Sequence, residues 1–113
     1  MSFQEFAMQL IDQLAKLPDN WDGCGSFAPQ PTALEKARRL LSLPEVNDLP
    51  APLIYPMSDG GVQVGWHTLT RGLKLKIFQD GSVEYFLMDE KETVKGRLPL
   101  EELRAVVNTM IQR

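Results

Sequence analysis

The chain has 113 residues, 43% of them apolar, and a formal net charge of −3. That length fits one domain with one core, so residues 1–113 are read as a single α+β unit. The mild acidity lacks the basic excess from which nucleic-acid binders usually draw affinity, and the single cysteine, Cys24, excludes an internal disulfide or a zinc site built on cysteines alone.

The first element predicted is a helix over residues 2–17. Ser2 and Glu5 form an S-x-x-E capping box, and Phe3, Phe6, Leu10, Leu14 and Leu17 recur at helical spacing, widened by Ala7 and Ile11. Gln4, Gln9, Asp12, Gln13 and Lys16 take the opposite side, and Pro18 helps to stop the helix. Its start has neither the basic residues nor the unbroken apolar run of a signal peptide, and no stretch approaches the ~20 apolar residues of a membrane span. A cytoplasmic protein with no membrane partner is therefore expected.

Residues 18–31, PDNWDGCGSFAPQP, read as a loop. A second helix is predicted over 32–42, with a capping box from Thr32 and Glu35 and an apolar side of Leu34, Ala37, Leu40 and Leu41. Pro44, Pro50 and Pro52 make residues 43–52 a connector.

The period then changes from helical to alternating. Strands are predicted at 53–57, 62–67, 72–78 and 83–88, with a weaker one at 93–98. Two hairpin registers compete around Gln79-Asp80-Gly81. A two-residue Asp-Gly turn would put Glu84 on the face of Ile77 and Leu75. A three-residue loop with Gly81 in the left-handed bulge position pairs Ile77 with Val83, Leu75 with Tyr85, and Leu73 with Leu87. A one-residue slip inverts a strand's faces, so the cleaner partition selects the bulge. A loop from Thr68 to Arg71 likewise pairs Trp66 with Leu73, Val64 with Leu75, and Val62 with Ile77. A loop from Ser58 to Gly61 would place Met57, Tyr55 and Leu53 on this same core face. A last helix over 99–112 starts at Pro99 and buries Leu100, Leu103, Val106, Val107, Met110 and Ile111. The expected fold is an antiparallel meander of four or five strands, with two N-terminal helices and one C-terminal helix packed on one face.

The other face carries Gln63, Gly65, His67, Lys74, Lys76, Phe78, Glu84, Phe86 and Met88, joined by Lys95 and Arg97 if Val94 pairs with Leu87. Cations interleaved with aromatic rings suit either an acidic protein partner or bases stacked on the rings with phosphates on the cations. They also suit a solvated face of cross-strand pairs, Lys76–Glu84–Arg97, each worth at most about 1 kcal/mol. The loop Asp19-Asn20-Trp21-Asp22-Gly23-Cys24-Gly25 lacks the alternating oxygen ligands of a calcium loop and the lysine of a phosphate loop. Its structural reading has Trp21 filling a gap beside the first helix and the Asp and Asn side chains bonding loop amides. His67 is the only histidine, and a Cys24–His67 pair would need the loop to fold over the end of its strand. No metal-ligand spacing is present, so no catalytic residue, metal or cofactor is assigned. Pro52 and Pro56 on the first strand, and Lys95 and Arg97 on the last, discourage edge pairing, leaving the open face as the route to any homo-oligomer.

Asn20-Trp21-Asp22-Gly23 with Gly25, then Pro56, then Asp59-Gly60-Gly61-Val62-Gln63 with Trp66, then Asp80-Gly81-Ser82-Val83, resembles a group of small bacterial proteins with an NWDGxG loop and a later DGGIxxxW strand. The resemblance spans about residues 18–88. Cys24 stands where the group usually has tyrosine, Ser26 where it has alanine, and Gly65 where it has glutamate. No activity is assigned to the group, so the resemblance implies a bacterial or phage setting and nothing further. The leading expectation is a non-enzymatic protein-interaction domain of accessory, immunity or antitoxin kind, binding through Trp21, Asp22, Lys74, Lys76, Phe78, Phe86, Lys95 and Arg97. The alternatives are a sheet that binds single-stranded nucleic acid, and a small hydrolase or ligand-binding protein using His67 and Cys24.

Overall fold

A computed structural model describes residues 3–44, 46, 49–97 and 105. Within them, α1 (Phe3–Leu14) and α2 (Pro31–Leu41) precede β1 (Leu53–Pro56), β2 (Val62–His67), β3 (Arg71–Ile77), β4 (Val83–Asp89) and β5 (Thr93–Arg97). The strands form one five-stranded antiparallel meander in the order β1-β2-β3-β4-β5. The fold is therefore α+β, with the larger of the two expected strand counts. The C-terminal helix expected over 99–112 lies outside the described residues.

Two of the hairpins share one device. Phe78 N–H donates to Ser82 O at 2.9 Å, Gly81 N–H donates to Phe78 O at 2.9 Å, and Gly81 has φ +88°. Asp80 Oδ1 accepts from the Ser82 amide at 2.9 Å. This is the bulged three-residue loop, and it sets Ile77 opposite Val83, Leu75 opposite Tyr85 and Leu73 opposite Leu87. The same bonds recur one hairpin earlier. Met57 N–H donates to Gly61 O at 2.9 Å, Gly60 N–H to Met57 O at 3.1 Å, and Asp59 Oδ1 accepts from the Gly61 amide at 2.8 Å. Gly60 has φ +93°.

The second device corrects the expected register of β1. The loop proper is Ser58–Gly60, so Met57 faces Gly61, Pro56 faces Val62 and Ile54 faces Val64. Counting Gly61 into the loop shifts the pairing by one residue and inverts the strand. Tyr55 and Leu53 therefore lie opposite Gln63 and Gly65, on the face away from the core, and are 50% and 48% exposed.

The core face holds Val62, Val64, Trp66, Leu73, Leu75, Ile77 and Val83, all buried. Ala33, Leu34, Ala37, Leu40 and Leu41 of α2 pack onto it, with Ala7 and Ile11 of α1 and with Val46 and Leu49 of the connector. The alanines let the helix backbones come close. Trp66 is fully buried, and its Nε1–H has no hydrogen-bond partner among the described residues, an uncommon cost of about 1–3 kcal/mol. The indole's large apolar area is what holds it there.

The phase of α1 also departs from expectation. Ala7 and Ile11 are its buried centre, whereas Phe6, expected in the stripe, is 45% exposed and Leu10 and Leu14 are half-buried. Gln4, expected on the polar side, turns inward: its Nε2 donates to Leu41 O at 2.7 Å and Leu43 O at 3.2 Å. Leu41 is the last residue of α2 and Leu43 lies just beyond it, where its carbonyl also accepts from the Val46 amide at 3.0 Å, so Gln4 ties α1 to the end of α2. At the other end of α2 the expected Thr32/Glu35 box is unused. Gln30 is the cap residue without a side-chain bond, Pro31 opens the helix, and Glu35 pairs with Arg39 at 3.0 Å.

These loops yield a graded stability test. Gly81→Ala carries the cost of a left-handed alanine, about 1–2 kcal/mol, and its Cβ would lie 2.9 Å from Thr32 Cγ2. Gly61→Ala would drive its Cβ into the carbonyl oxygen of Ile77 and to 2.6 Å from Met57 Cε. Urea titration is expected to show the larger loss, above about 3 kcal/mol, for Gly61→Ala. Equal losses would remove the steric account.

Candidate functional site

The open face of the sheet is built by cross-strand rows. One row runs Leu53, Gly65, Lys74, Phe86 and Lys95 from β1 to β5. The next runs Tyr55, Gln63, Lys76, Glu84 and Arg97. A third, on β2 to β5, runs His67, Gly72, Met88 and Thr93. Strict alternation along each strand puts all these residues on one side. The structure thus brings together six of the expected residues, Lys74, Lys76, Phe78, Phe86, Lys95 and Arg97. No described helix lies on this face.

The cations do not stand clear of the rings. Lys76 Nζ is 5.3 Å and Lys74 Nζ 6.0 Å from the centroid of Phe86, and the Arg97 guanidinium carbon is 5.6 Å from that of Phe78. Each such contact is worth about 0.5–1 kcal/mol at an exposed site. Arg97 Nε also meets Glu84 Oε2 at 3.7 Å, a loose surface pair. Four cations thus share the rows with one carboxylate, in a chain whose net charge is −3.

Tyr55 and Leu53 belong to this surface, not to the core face that a Ser58–Gly61 loop would give them. The signal that would have placed them is the near-repeat Ser58-Asp59-Gly60-Gly61-Val62 and Gln79-Asp80-Gly81-Ser82-Val83. The two segments make the same loop, so the register argued for one transfers to the other.

Trp21 and Asp22 sit elsewhere, in a loop that satisfies itself. Asn20, at φ 63°, accepts from the Gly25 amide at 2.7 Å through Oδ1, and its own N–H donates to Ser26 O at 2.7 Å. Asp22 Oδ1 accepts from the Cys24 amide at 2.9 Å, and Asp22 Oδ2 accepts from the Ser26 hydroxyl. Half-exposed Trp21 donates through Nε1 to Phe27 O at 3.0 Å. The loop is then tied to the first bulged turn: Phe27 N–H donates to Ser58 O at 2.9 Å, and Gln30 N–H to Gly60 O at 2.8 Å. A Cβ on Gly60 would lie 3.1 Å from Ala28 O. The NWDGxG segment and the DGG turn are therefore neighbours, joined through backbone. No hydrogen bond or ion pair among the described residues links this loop to the open face.

The loop's anchor also separates the candidate catalytic pair. It fixes the Cys24 segment to the Ser58–Gly60 end of the sheet, whereas His67 ends β2 at the other side. The strand between spans about 17 Å, at ~3.3 Å per residue. Among the described residues no three His, Cys, Asp or Glu side chains converge as a metal would require, and no helix is long and apolar enough to cross a membrane.

Comparison with protein-family models, with curated proteins and with solved structures found no match.

The turn carboxylates make stability depend on pH. Asp22 is held below the ordinary value of 3.8 by the Ser26 hydroxyl and the Cys24 amide, Asp80 by the Ser82 hydroxyl and amide, and Asp89 by the Lys91 and Glu92 amides. Their stabilisation is present above the unfolded value and is lost as pH falls through the lowered folded values. The urea midpoint is expected to fall below about pH 4, and Asp80→Asn to make that fall shallower than in wild type. An unchanged acid slope would show that the loop bonds are absent in solution.

Proposed function

We propose that the chain is a non-enzymatic interaction domain of the accessory, immunity or antitoxin kind, working in a bacterial or phage-infected cytoplasm, and that it binds a protein partner through the open sheet face. The observation that carries this reading is the charge on that face. Lys74, Lys76, Lys95 and Arg97 stand on adjacent rows with Glu84 as their only acidic row-mate, against an acidic whole. Such segregation steers an acidic partner to one side of the molecule. It also sets cation against cation when two copies meet face to face, which disfavours a homodimer through this surface.

A second reading, binding of single-stranded nucleic acid, draws on the same cations together with the exposed ring of Tyr55. It ranks below the first for two reasons. Phe86 and Phe78 already have cations over their rings, so a base must displace those contacts before it can stack. The acidic whole also weakens long-range attraction to phosphate. Trp21 and Asp22 lie in the loop rather than on the open face, and their polar atoms bond within it, so the loop would add to the partner contact through the half-exposed Trp21 ring.

The test is differential capture. Tagged wild type and Phe86→Asp are passed over lysate of the source cells. A protein held by wild type and lost, by about tenfold or more, from the variant is the expected result. Phe86 is half-exposed, so the variant should keep its far-UV spectrum. A wild type that retains nothing specific, or retains nucleic acid instead, overturns the proposal.

A further inference from the structure

The open face has one gap in it. At Gly65 a Cβ would meet a single atom within 4 Å, the Leu73 carbonyl oxygen at 3.3 Å, and no side chain. At Gly72, on the neighbouring strand and two residues along from Gly65's partner Lys74, a Cβ would meet His67 Cε1, His67 Nδ1 and Met88 Cε, each at 3.1 Å. The space above Gly72 is thus filled by its neighbours, whereas that above Gly65 is not. Around Gly65 stand Leu53 on β1, 48% exposed, and Lys74 on β3, with Gln63 and His67 two residues away on β2. The gap is apolar on the Leu53 and Tyr55 side and cationic on the Lys74 and Lys76 side.

Resting on the interaction reading above, we infer that this notch receives one apolar or aromatic side chain of an acidic segment in the partner protein. The segment's carboxylates then lie on Lys74, Lys76 and Lys95. The geometry suits an extended chain. Strands are about 4.8 Å apart, so the row from Gly65 to Lys95 covers about 14 Å. An extended segment advances ~3.3 Å per residue, so about four residues bridge the anchor and the farthest cation. Exposed Leu53 and the indented Gly65 backbone give the anchor a dry wall and floor, and the ammonium groups supply the charge complement. A bulky anchor flanked by charge is the usual arrangement in which a few contacts carry most of an interface.

Three fluorescein-labelled probes test it by anisotropy at low salt: a short peptide alternating Glu and Phe, a polyglutamate of equal length, and an oligothymidylate. The Glu/Phe peptide is expected to bind about tenfold tighter than polyglutamate, a gain typical of one buried aromatic anchor. Lys74→Glu with Lys76→Glu should abolish binding of both peptides. Gly65→Val should remove only the Phe-dependent gain, leaving polyglutamate unchanged. Should Gly65→Val fail to fold, Leu53→Ser, an uncharged change at an exposed edge position, supplies the same comparison. Equal binding of the two peptides, or tighter binding of oligothymidylate, overturns the notch. A Phe86-dependent protein captured from lysate alongside a Glu/Phe peptide that does not bind overturns the notch but leaves the interaction reading standing. Failure of both removes the reading itself.

Discussion

The left-handed glycine at the third position of the two bulged loops is the constraint on which the rest of this fold depends. Gly60 and Gly81 end loops one residue longer than a tight Asp-Gly turn, closed by Met57 with Gly61 and Phe78 with Ser82. That single residue decides the parity of β1 and β4 relative to the strands they pair with, and parity decides which side chains meet the helices. The apolar rows across β2, β3 and β4 exist only in this register. The cationic rows on the other side are its unavoidable complement. Core and candidate site are therefore two outcomes of one backbone choice. Both loops also touch the helical layer. Gly81 lies against Thr32 of α2, and Gly60 against Ala28 and Gln30 just before it. Sheet register and helix placement are thus coupled through two positions that tolerate no Cβ without strain or displacement.

Much of this was legible from residues alone, and the limits have physical causes. The register of β3 with β4 follows from alternation, because the alternative would have put Glu84 into an apolar row, and that of β2 with β3 agrees with it; that of β4 with β5 stood only as the condition that Val94 pairs with Leu87, which the structure meets. β1 offered no such penalty. Leu53, Ile54, Tyr55 and Met57 are apolar in either phase, so pattern could not choose and loop counting erred by one. The helix α1 posed the same ambiguity. Its apolar residues cover enough of the circumference that Phe6 or Ile11 can centre the stripe. In the observed phase Ala7 and Ile11 enter the core and Gln4 bonds the end of α2, tertiary contacts that no local pattern shows. The unused box at Thr32 and Glu35 has a similar origin. Pro31 begins the helix one residue earlier, and Glu35 finds Arg39 instead. Of the candidate site, Lys74, Lys76 and Phe86 were legible because they rode on the secure registers, Lys95 and Arg97 only on condition of the β5 pairing, and Tyr55 was not because it rode on β1.

The NWDGxG loop shows how a conspicuous motif can be spent on structure. Each of its side-chain oxygens has an amide or a hydroxyl to accept from, and the indole N–H has a carbonyl. The segment's job is mechanical: it carries the chain from α1 to α2 and pins it to the first bulged turn, so that two distant stretches of sequence form one rigid corner. Asp19 completes the anchor by accepting from the Ala28 amide at 2.9 Å.

The open face has the opposite economy. Its groups do little for the fold. The Arg97–Glu84 pair is 3.7 Å long with Arg97 mostly exposed, and surface pairs of that kind contribute between nothing and about 1 kcal/mol. The three cation–ring contacts are of similar size, and Leu53 and Tyr55 leave half their surface in water. A sheet needs only one apolar face to fold on its helices, and a solvated second face is served by Thr, Ser and mixed charges. Segregating four cations there, beside two exposed apolar side chains and an unfilled glycine position, gives up charge balance and apolar burial without a structural return. On the reading proposed above, contact with a partner is the return for such a surface, and its mixture of apolar wall and positive charge fits an apolar side chain carried on an acidic segment.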